Sequence, residues 1–434
     1  MNRCCRTMYR QQFPCPRKYS CGTRKEQSTN HIFGREKTME NIVELNMFQA
    51  AGLAVLMLVI GRMLVNKIEF LRKYCIPAPV VGGLIFAILH VILRSAGVVE
   101  FNMDTTLQTV FMTAFFCSVG YMAAFGELKK GGIGVIKFLI LAIVMCCIQD
   151  LVGGFGAKIF GLDGRLGLAM GSIPLVGGHG TAGSFGPFLE EMGVDNATTV
   201  AVAAATYGLI AGCMIGGPIA TSKIRKFNLK SVGTAAAATT EVSVDQDTGA
   251  MDEKNLMDAA IYIVIAVGLG TIVAALLGKL ITLPGYIGAM IVGAVIRNVQ
   301  EARGVKMPMG EMGALGNICL SIFLGLAMIN LKLWQLVSLA LPMIVILLIQ
   351  TVIMFLYASF VVFTIMGRDY DAATISSGFC GFGMGATPNA MANMQAITNQ
   401  YGPAPVAFMI VPLVGSLFID FFNAAIITAF ANFL

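Results

Sequence analysis

Two glycine-rich stretches, at residues 172–181 and 378–388, interrupt segments that would otherwise be plain apolar helix. Inside hydrocarbon, a broken helix persists only where protein buries it or where it lines a polar cavity. Matching Gly/Pro interruptions in the two halves of a chain are the best sequence indication of a transporter's binding site. A constant shift of 206 positions superimposes four pairs of residues around them: Gly161 on Gly367, Asp163 on Asp369, Gly177 on Gly383 and Thr181 on Thr387.

The composition is that of a membrane protein. Hydrophobic residues make up 56% of the chain and charged residues 12%, against about 45–50% and about 25% in soluble domains. A helix needs about 20 apolar residues to cross the bilayer core. We therefore predict an all-α polytopic protein in the lipid bilayer. Ten apolar runs are predicted as spans: 45–61, 74–93, 107–125, 133–156, 196–222, 259–278, 280–296, 312–331, 336–366 and 404–430.

The net charge of +6 is misleading, because it comes from the first 38 residues. They hold nine of the 30 basic residues and two acidic ones, a net of +7, which leaves −1 for the remainder. A basic patch for nucleic acid is therefore not expected in the folded part. The segment from Met39 opens with the acidic lead-in Met-Glu-Asn-Ile-Val-Glu. We predict that Met39 is the natural start and that residues 1–38 are a disordered upstream extension.

Basic residues indicate the orientation, because they favour the cytoplasmic ends of spans. If the first span runs from outside to inside, the cytoplasmic loops collect fourteen basic residues and the external loops five. This bias predicts a multi-pass protein of the cell (inner) membrane with both termini external. It also places the polar segment 222–257 in the cytoplasm as a linker with little fixed structure.

Five spans precede that linker and five follow it, which predicts an N-terminal repeat over 39–221 and a C-terminal repeat over 258–434. Since five is odd, the second repeat enters the membrane from the opposite side. The fold expected is two inverted five-helix repeats, an architecture common among secondary transporters. Each repeat carries one glycine-rich segment before its last span. These segments are then re-entrant loops from opposite faces whose tips meet.

The chemistry of such loops suits an anionic substrate and a coupled cation. Backbone N–H groups at helix N-termini favour carboxylates, and exposed carbonyl oxygens favour hard cations such as Na⁺. The alternative is that the glycines only permit tight helix packing. Fourteen residues in and near the two segments are predicted to bind substrate: Ser172, Gly177, Gly178, His179, Gly180, Thr181, Thr206, Gly383, Gly385, Ala386, Thr387, Asn389, Asn393 and Gln395.

Two of these residues keep alternative interpretations. His179 is either a proton carrier or a structural, hydrogen-bonded imidazole, and Asn389 either binds substrate or caps a helix. On the last span, Asp420 and Asn423 lie one helical turn apart on one face. Because intramembrane carboxylates are costly and usually functional, we predict that Asp420 and Asn423 bind sodium. Asp150 is a weaker candidate, and the alternative is that it closes an interhelical hydrogen bond.

At these residues the chain resembles the bacterial sodium/glutamate symporter family. The motifs are Gly-Gly-His-Gly-Thr at 177–181, Gly-Phe-Gly-Met-Gly-Ala-Thr-Pro at 381–388, Ala-Asn-Met-Gln-Ala at 392–396, Phe-Ile-Asp-Phe-Phe-Asn at 418–423 and Leu-Lys-Leu-Trp-Gln-Leu at 331–336. The resemblance implies Na⁺-driven uptake of L-glutamate with no other cofactor, substrate and cation bound by the loops at 172–186 and 378–390, and a homodimer. Asn389 stands where some relatives have a hydroxyl residue.

Three rival functions would use parts of the same pattern. A proton-coupled carrier of a related organic anion or dicarboxylate would use His179 or Asp420, and a channel would use the loops as a selectivity filter. An intramembrane enzyme would need Ser172 or Ser184 beside His179 as nucleophile and base. The sequence has no acidic orienter near them and no H-E-x-x-H pattern. We therefore expect a transporter and not an enzyme.

Overall fold

A computed structural model describes residues 42–74, 76–124, 126, 132–231, 252–280 and 282–434. The predicted extension 1–38 lies outside the described residues. Two short strands that the sequence did not suggest open the described part, β1 (Ile42–Leu45) and β2 (Glu100–Met103). They pair in parallel, with Ile42 opposite Glu100 and Leu45 opposite Met103.

The first half is otherwise helical. Its elements are α1 (Met47–Lys67), α2 (Glu69–Lys73), α3 (Ala78–Ser95), α4 (Thr106–Met122), α5 (Gly132–Ile159), a 3₁₀ helix (Gly164–Met170), α6 (Ser172–Leu175), α7 (Gly178–Glu191) and α8 (Ala197–Phe227). Helix α8 thus continues past residue 221, where the linker was predicted to begin. Most of that linker, residues 232–251, lies outside the described residues.

The second half is also helical. It contains α9 (Glu253–Leu277), α10 (Tyr286–Ala302), α11 (Met309–Ile329), a 3₁₀ helix (Leu333–Leu339), α12 (Ala340–Ile365), α13 (Tyr370–Gly383), α14 (Thr387–Tyr401), α15 (Pro405–Leu417) and α16 (Ile419–Phe433). Helix α12 includes a π-helical stretch, Tyr357–Val362.

Each of the ten predicted apolar runs contains helix. Within the described residues, seven helices are long and apolar enough to cross a membrane, and α15 with α16 gives an eighth if that bent pair is one span. Helices α4 and α10 have only 17 residues each. A mostly helical membrane protein is therefore confirmed.

The last predicted span is not one continuous helix. It breaks at Phe418 and bends by 46° between α15 and α16. Pro412 lies inside α15, where it removes a backbone donor and weakens the helix. The break matters because Asp420 then falls in the first turn of α16 rather than in mid-helix.

Local side-chain caps define several helix starts. Asn46 and Gln49 form a reciprocal capping box at the start of α1, with bonds of 3.0 and 3.1 Å. Asp369 accepts the Ala372 N–H at 2.7 Å at the start of α13. Asp163 accepts the Arg165 N–H at 2.9 Å at the first 3₁₀ helix, the position that matches Asp369 in the other half.

The buried core divides the helices into two groups. Two clusters hold together the first three long helices of each half: one joins α4, α9, α10 and α11, and the other joins α1, α3 and α11. A large cluster joins α5, α6, α8, α12, α13, α14 and α15. A fourth cluster connects the two groups through residues such as Phe323 on α11 and Phe185 on α7. The two glycine-rich segments both belong to the second group.

Candidate functional site

Both glycine-rich segments are helices broken near the predicted positions. In the first half, α6 ends at Leu175 and α7 begins at Gly178, whose φ of +62° is left-handed and favours glycine. In the second half, α13 ends at Gly383 and α14 begins at Thr387. We call residues 176–177 the first break and residues 384–386 the second break.

The two breaks lie against one another inside the protein. A Cβ atom placed on Gly178 would lie only 2.9 Å from the carbonyl oxygen of Gly385. On α8, a Cβ atom on Gly208 would overlap the Met384 carbonyl and lie 3.0 Å from the side chain of Leu175. These glycines do permit close packing, as the alternative interpretation held. Because these glycines have no side chains, the two breaks can lie in contact.

Two helix N-termini face this junction without a side-chain cap. The N–H groups of Gly178, His179 and Gly180 have no acceptor in the described part of the chain. The Thr387 N–H at the start of α14 is likewise unpaired there. Unpaired N–H groups and the positive end of a helix dipole attract carboxylates. The junction therefore offers two anion-binding ends side by side.

A buried carboxylate fixes the start of α6. Asp150 on α5 is fully buried and accepts the Ser172 N–H at 2.8 Å and the Ser172 hydroxyl at 3.0 Å. The interhelical hydrogen bond considered for Asp150 is therefore present. Within the described residues, the salt bridges join Arg94 to Glu100, Arg165 to Asp163 and Arg297 to Glu301, so none of them involves Asp150.

Two buried glutamines, one on the fourth long helix of each half, bond to residues of the other half. Gln149 on α5 donates its side-chain N–H to the carbonyl of Gly383 at 2.7 Å. Gln350 on α12 donates to the carbonyls of Gln149 at 2.7 Å and Met170 at 3.3 Å. Both side chains are 0% exposed. The segments before the two breaks are thus held by crossed hydrogen bonds.

His179 is bonded to Thr206 on α8. Its Nε2 atom lies 3.0 Å from the Thr206 hydroxyl oxygen, and that hydroxyl donates its single hydrogen to the Val202 carbonyl at 3.1 Å. With the hydroxyl hydrogen directed at Val202, the hydroxyl oxygen accepts from His179, and we assign the proton of the neutral ring to Nε2 on that ground. Thr181, in the same turn of α7, is buried, and its carbonyl accepts the Ser184 hydroxyl at 3.0 Å.

Asn389 and Asn393 fasten α14 to α8. Asn389 donates to the Leu209 carbonyl at 3.0 Å, and Asn393 donates to the Gly212 carbonyl at 3.0 Å. Asn389 is the third residue of α14 and does not cap it, so the capping alternative is wrong. The Oδ1 atom of Asn389 is buried and unpaired.

The remaining predicted residues divide into those at the junction and one outside it. Gly177 precedes α7, and Gly383, Gly385, Ala386 and Thr387 form the second break and its edges. Gln395, in contrast, is exposed two turns along α14 and donates to Asn399 at 2.7 Å. The structure therefore brings thirteen of the fourteen predicted residues to the junction and to the helix turns packed against it, and leaves Gln395 apart.

The two predicted sodium ligands lie on the same helix, in different surroundings. Asn423 is 1% exposed and donates to the Ser172 carbonyl at 3.3 Å, which attaches α16 to the start of α6. Asp420 is half-buried. Both Asp420 and Asp150 lie within electrostatic range of the Cys146 thiol on α5. No group of three or more His, Cys, Asp or Glu suited to a metal ion occurs in the described residues.

Sequence reasoning missed the glutamines. The sequence analysis assigns no role to Gln149 or Gln350, because each is one amide within a long apolar run. The available signal was their placement: both lie in the fourth predicted span of their half, and the same residue type stands in each.

Known proteins are similar to this chain over most of its length. The family model described as "Sodium/glutamate symporter" matches residues 43–403. The sodium/glutamate symporter of Escherichia coli (strain K12) is 42% identical over 378 residues, covering 86% of this chain and 94% of that protein. That of Haemophilus influenzae is 36% identical over 386 residues, covering 88% and 96%. Among solved structures, the sodium proton antiporter MjNhaP1 from Methanocaldococcus jannaschii gives a TM-score of 0.43 at 12% identity, covering 89% of this chain and 98% of that one.

Proposed function

Since this chain belongs to the sodium/glutamate symporter family, we propose that the junction of its two breaks is the site where L-glutamate binds. The protein is an integral membrane transporter that takes up L-glutamate with Na⁺ as the coupling ion. It is not an enzyme and needs no further cofactor. The observation that carries the site proposal is the contact of two uncapped helix N-termini in the protein interior.

Glutamate has two carboxylates, and the junction offers two helix ends to hold them. The N–H groups of Gly178, His179 and Gly180 take one carboxylate, and the N–H and hydroxyl of Thr387 take the other. Each helix end contributes roughly half a positive charge. Two such ends favour a dicarboxylate over a substrate with a single carboxylate.

The amino group of the substrate needs acceptors, and Asn389 supplies one. Its Oδ1 atom is buried and unpaired, while its Nδ2 atom is occupied by the Leu209 carbonyl. An unpaired buried acceptor costs about 1–3 kcal/mol. An ammonium group removes that cost when it binds, so Asn389 favours an amino acid over the corresponding dicarboxylate without an amine. Ser172, Thr181, Thr206, Asn393 and the glycines shape the site around it.

Sodium is proposed to bind beside the substrate at the start of α16. Asp420 supplies a carboxylate and Asn423 an amide oxygen, both hard ligands suited to Na⁺. The break at Phe418 supports this assignment, because it places both side chains in the first two turns of a helix that contacts Ser172. Downhill entry of one positive charge is worth about 2.3 kcal/mol per 100 mV, which drives accumulation of an anionic substrate.

The architecture is proposed to be two inverted repeats, 39–221 and 258–434, joined by a cytoplasmic linker. The matched caps at Asp163 and Asp369 and the helix break in each half support this relation. The two broken segments are then re-entrant loops that enter from opposite faces. Both termini are external, and residues 1–38 precede the working protein. The protein lies in the cell (inner) membrane and assembles as a homodimer.

Uptake into proteoliposomes tests the transport function. Purified protein is reconstituted, and radiolabelled L-glutamate uptake is measured under an imposed Na⁺ gradient, an imposed H⁺ gradient, or neither. Only the Na⁺ gradient should drive accumulation, with saturable counterflow. Accumulation driven by protons without Na⁺ would support the proton-coupled carrier instead, and flux that does not saturate would support a channel.

The site and the topology need separate measurements. Asn389→Asp retains an acceptor and Asn389→Leu removes it, so the leucine variant alone should lose the preference for glutamate over glutarate. Equal preference in both variants would remove Asn389 from the amine site.

Single cysteines placed at Asp163 and Asp369 in a cysteine-free background should react with impermeant reagents from opposite faces of the membrane. Labelling from one face would contradict the inverted repeats.

A further inference from the structure

Three buried side-chain amides near the first break leave their oxygen atoms unpaired. Gln149 and Gln350 are 0% exposed and Asn423 is 1% exposed. In each residue the side-chain nitrogen donates a hydrogen bond, and the oxygen has no partner within the described residues. Most buried polar groups in proteins are satisfied. Three unsatisfied oxygens of the same chemical kind therefore point to a missing positive partner.

The orientation of these amides is fixed by their surroundings. Each nitrogen faces a backbone carbonyl oxygen: Gly383 for Gln149, Gln149 and Met170 for Gln350, and Ser172 for Asn423. If one of these amides were flipped, its side-chain oxygen would face the backbone carbonyl oxygen in place of the nitrogen. The unpaired oxygens are thus the stable arrangement.

The three amides belong to one connected cluster. Gln350 bonds to the backbone of Gln149 and to Met170, two residues before Ser172. The Ser172 carbonyl in turn accepts a hydrogen bond from Asn423. The Ser172 N–H and hydroxyl donate to Asp150, the neighbour of Gln149. Gln149, Asp150, Ser172, Gln350 and Asn423 are all buried. The cluster joins α5, α12, α16 and the start of α6.

We propose that this cluster holds the coupling Na⁺, with the amide oxygens of Gln149, Gln350 and Asn423 as ligands in addition to Asp420. The assignment deepens the proposed function and depends on it. Na⁺ is a hard cation that takes neutral oxygen ligands, and Asp150 beside Gln149 supplies a compensating negative charge. The burial of the cluster favours a single stripped ion over the ammonium of an amino acid, whose carbon skeleton needs more room.

Sodium bound at this cluster would prepare the substrate site. The ion would hold the side chains of Gln149 and Asn423, whose nitrogens fix the carbonyls of Gly383 and Ser172. Those two residues flank the breaks that carry the substrate-binding N–H groups. Sodium therefore orders both helix ends before glutamate arrives, which lowers the cost of substrate binding.

The test is Na⁺ binding by the purified full-length protein in the absence of glutamate. The thermal unfolding temperature is recorded as NaCl replaces choline chloride at constant ionic strength, and radioactive sodium binding is measured in parallel. Gln149→Leu and Gln350→Leu remove one oxygen each. The Na⁺ concentration for half-saturation should rise about tenfold or more in each variant, since tenfold corresponds to about 1.4 kcal/mol. Gln108→Leu is the matched control, because Gln108 is a buried glutamine on α4 outside the cluster; its half-saturation should stay within about twofold of wild type.

The outcomes separate this proposal from the proposed function. Unchanged half-saturation in both leucine variants, with Na⁺-driven uptake intact in the wild type, would mean that the oxygens hold water, and it would overturn the sodium site alone. Should a leucine variant fail to purify as folded protein, Gln149→Glu keeps the size and adds a charge. Its half-saturation should change and become pH-dependent; a wild-type, pH-independent value would again overturn the site.

Discussion

The side-chain nitrogen of Gln149 lies 2.7 Å from the carbonyl oxygen of Gly383, so the first half of the chain directly supports the second break. Gln350 supports the first half in return through Met170, at 3.3 Å. The bonds cross between halves because each fourth long helix packs in the same helix group as the broken segment of its counterpart. Each half therefore completes the site of the other.

Substitution of Gly178 should slow transport strongly. In Gly178→Ala, the left-handed backbone costs a non-glycine residue about 1–2 kcal/mol, and the new Cβ would lie 2.9 Å from the Gly385 carbonyl. Initial uptake rates in proteoliposomes should fall by about tenfold or more. Gly180→Ala is the control within the same motif, because its Cβ would meet Leu320 and Phe115 no closer than 3.5 Å. Similar losses in both variants would contradict the contact between the breaks.

Thr206 should matter as an acceptor for His179 rather than for its bulk. Thr206→Val leaves the His179 Nε2–H buried without a partner, at a cost of about 1–3 kcal/mol. We expect a lower unfolding temperature and a higher KM for glutamate. Thr206→Ser keeps the hydroxyl and should behave like the wild type in both measurements. A serine variant as impaired as the valine variant would show that the methyl group, and not the hydrogen bond, is what α7 needs.

Asp150 should be required for the position of α6. In Asp150→Leu, both carboxylate oxygens are lost, so the buried Ser172 N–H and hydroxyl lose their acceptors. The expected destabilisation is about 1–3 kcal/mol, measured as a shift in thermal unfolding. Asp195→Leu, at an exposed aspartate near the start of α8, is the control. Equal unfolding temperatures for the two variants would mean that the Asp150–Ser172 bonds add no net stability.

Acid should weaken the turn after α5. The side-chain hydrogen bond from Arg165, at 2.6 Å, holds the pKa of Asp163 below its ordinary value. A depressed folded pKa means that the stabilisation is complete above the unfolded value of about 3.9 and is lost as the pH falls through the folded value. Since both side chains are a quarter to a third exposed, the effect is at most about 1 kcal/mol.

The measurement compares wild type with Asp163→Asn across pH. The difference in unfolding temperature should be constant above about pH 5 and should shrink below about pH 4. A difference that grows on acidification would reverse the sign of this argument.

The sequence predicted the helical class, the ten helical regions and the two breaks, because glycine clusters and long apolar runs act through local backbone preferences. It did not predict the bend at Phe418, since the run 404–430 is long enough for one helix and Pro412 lies about a turn and a half before the break. It also did not predict the roles of Gln149 and Gln350. Their partners are more than 170 positions distant along the chain, and only the packing of α5 against α12 and α13 brings them into contact.

The crossed glutamine bonds also bear on how the chain is made. While only the first half has been inserted, Gln149 has no Gly383 to receive its N–H, and Met170 lacks Gln350. The first half alone therefore leaves these polar groups without their partners. Insertion of α12 and α13 supplies both partners, so we expect the interior of the first half to close only at that step.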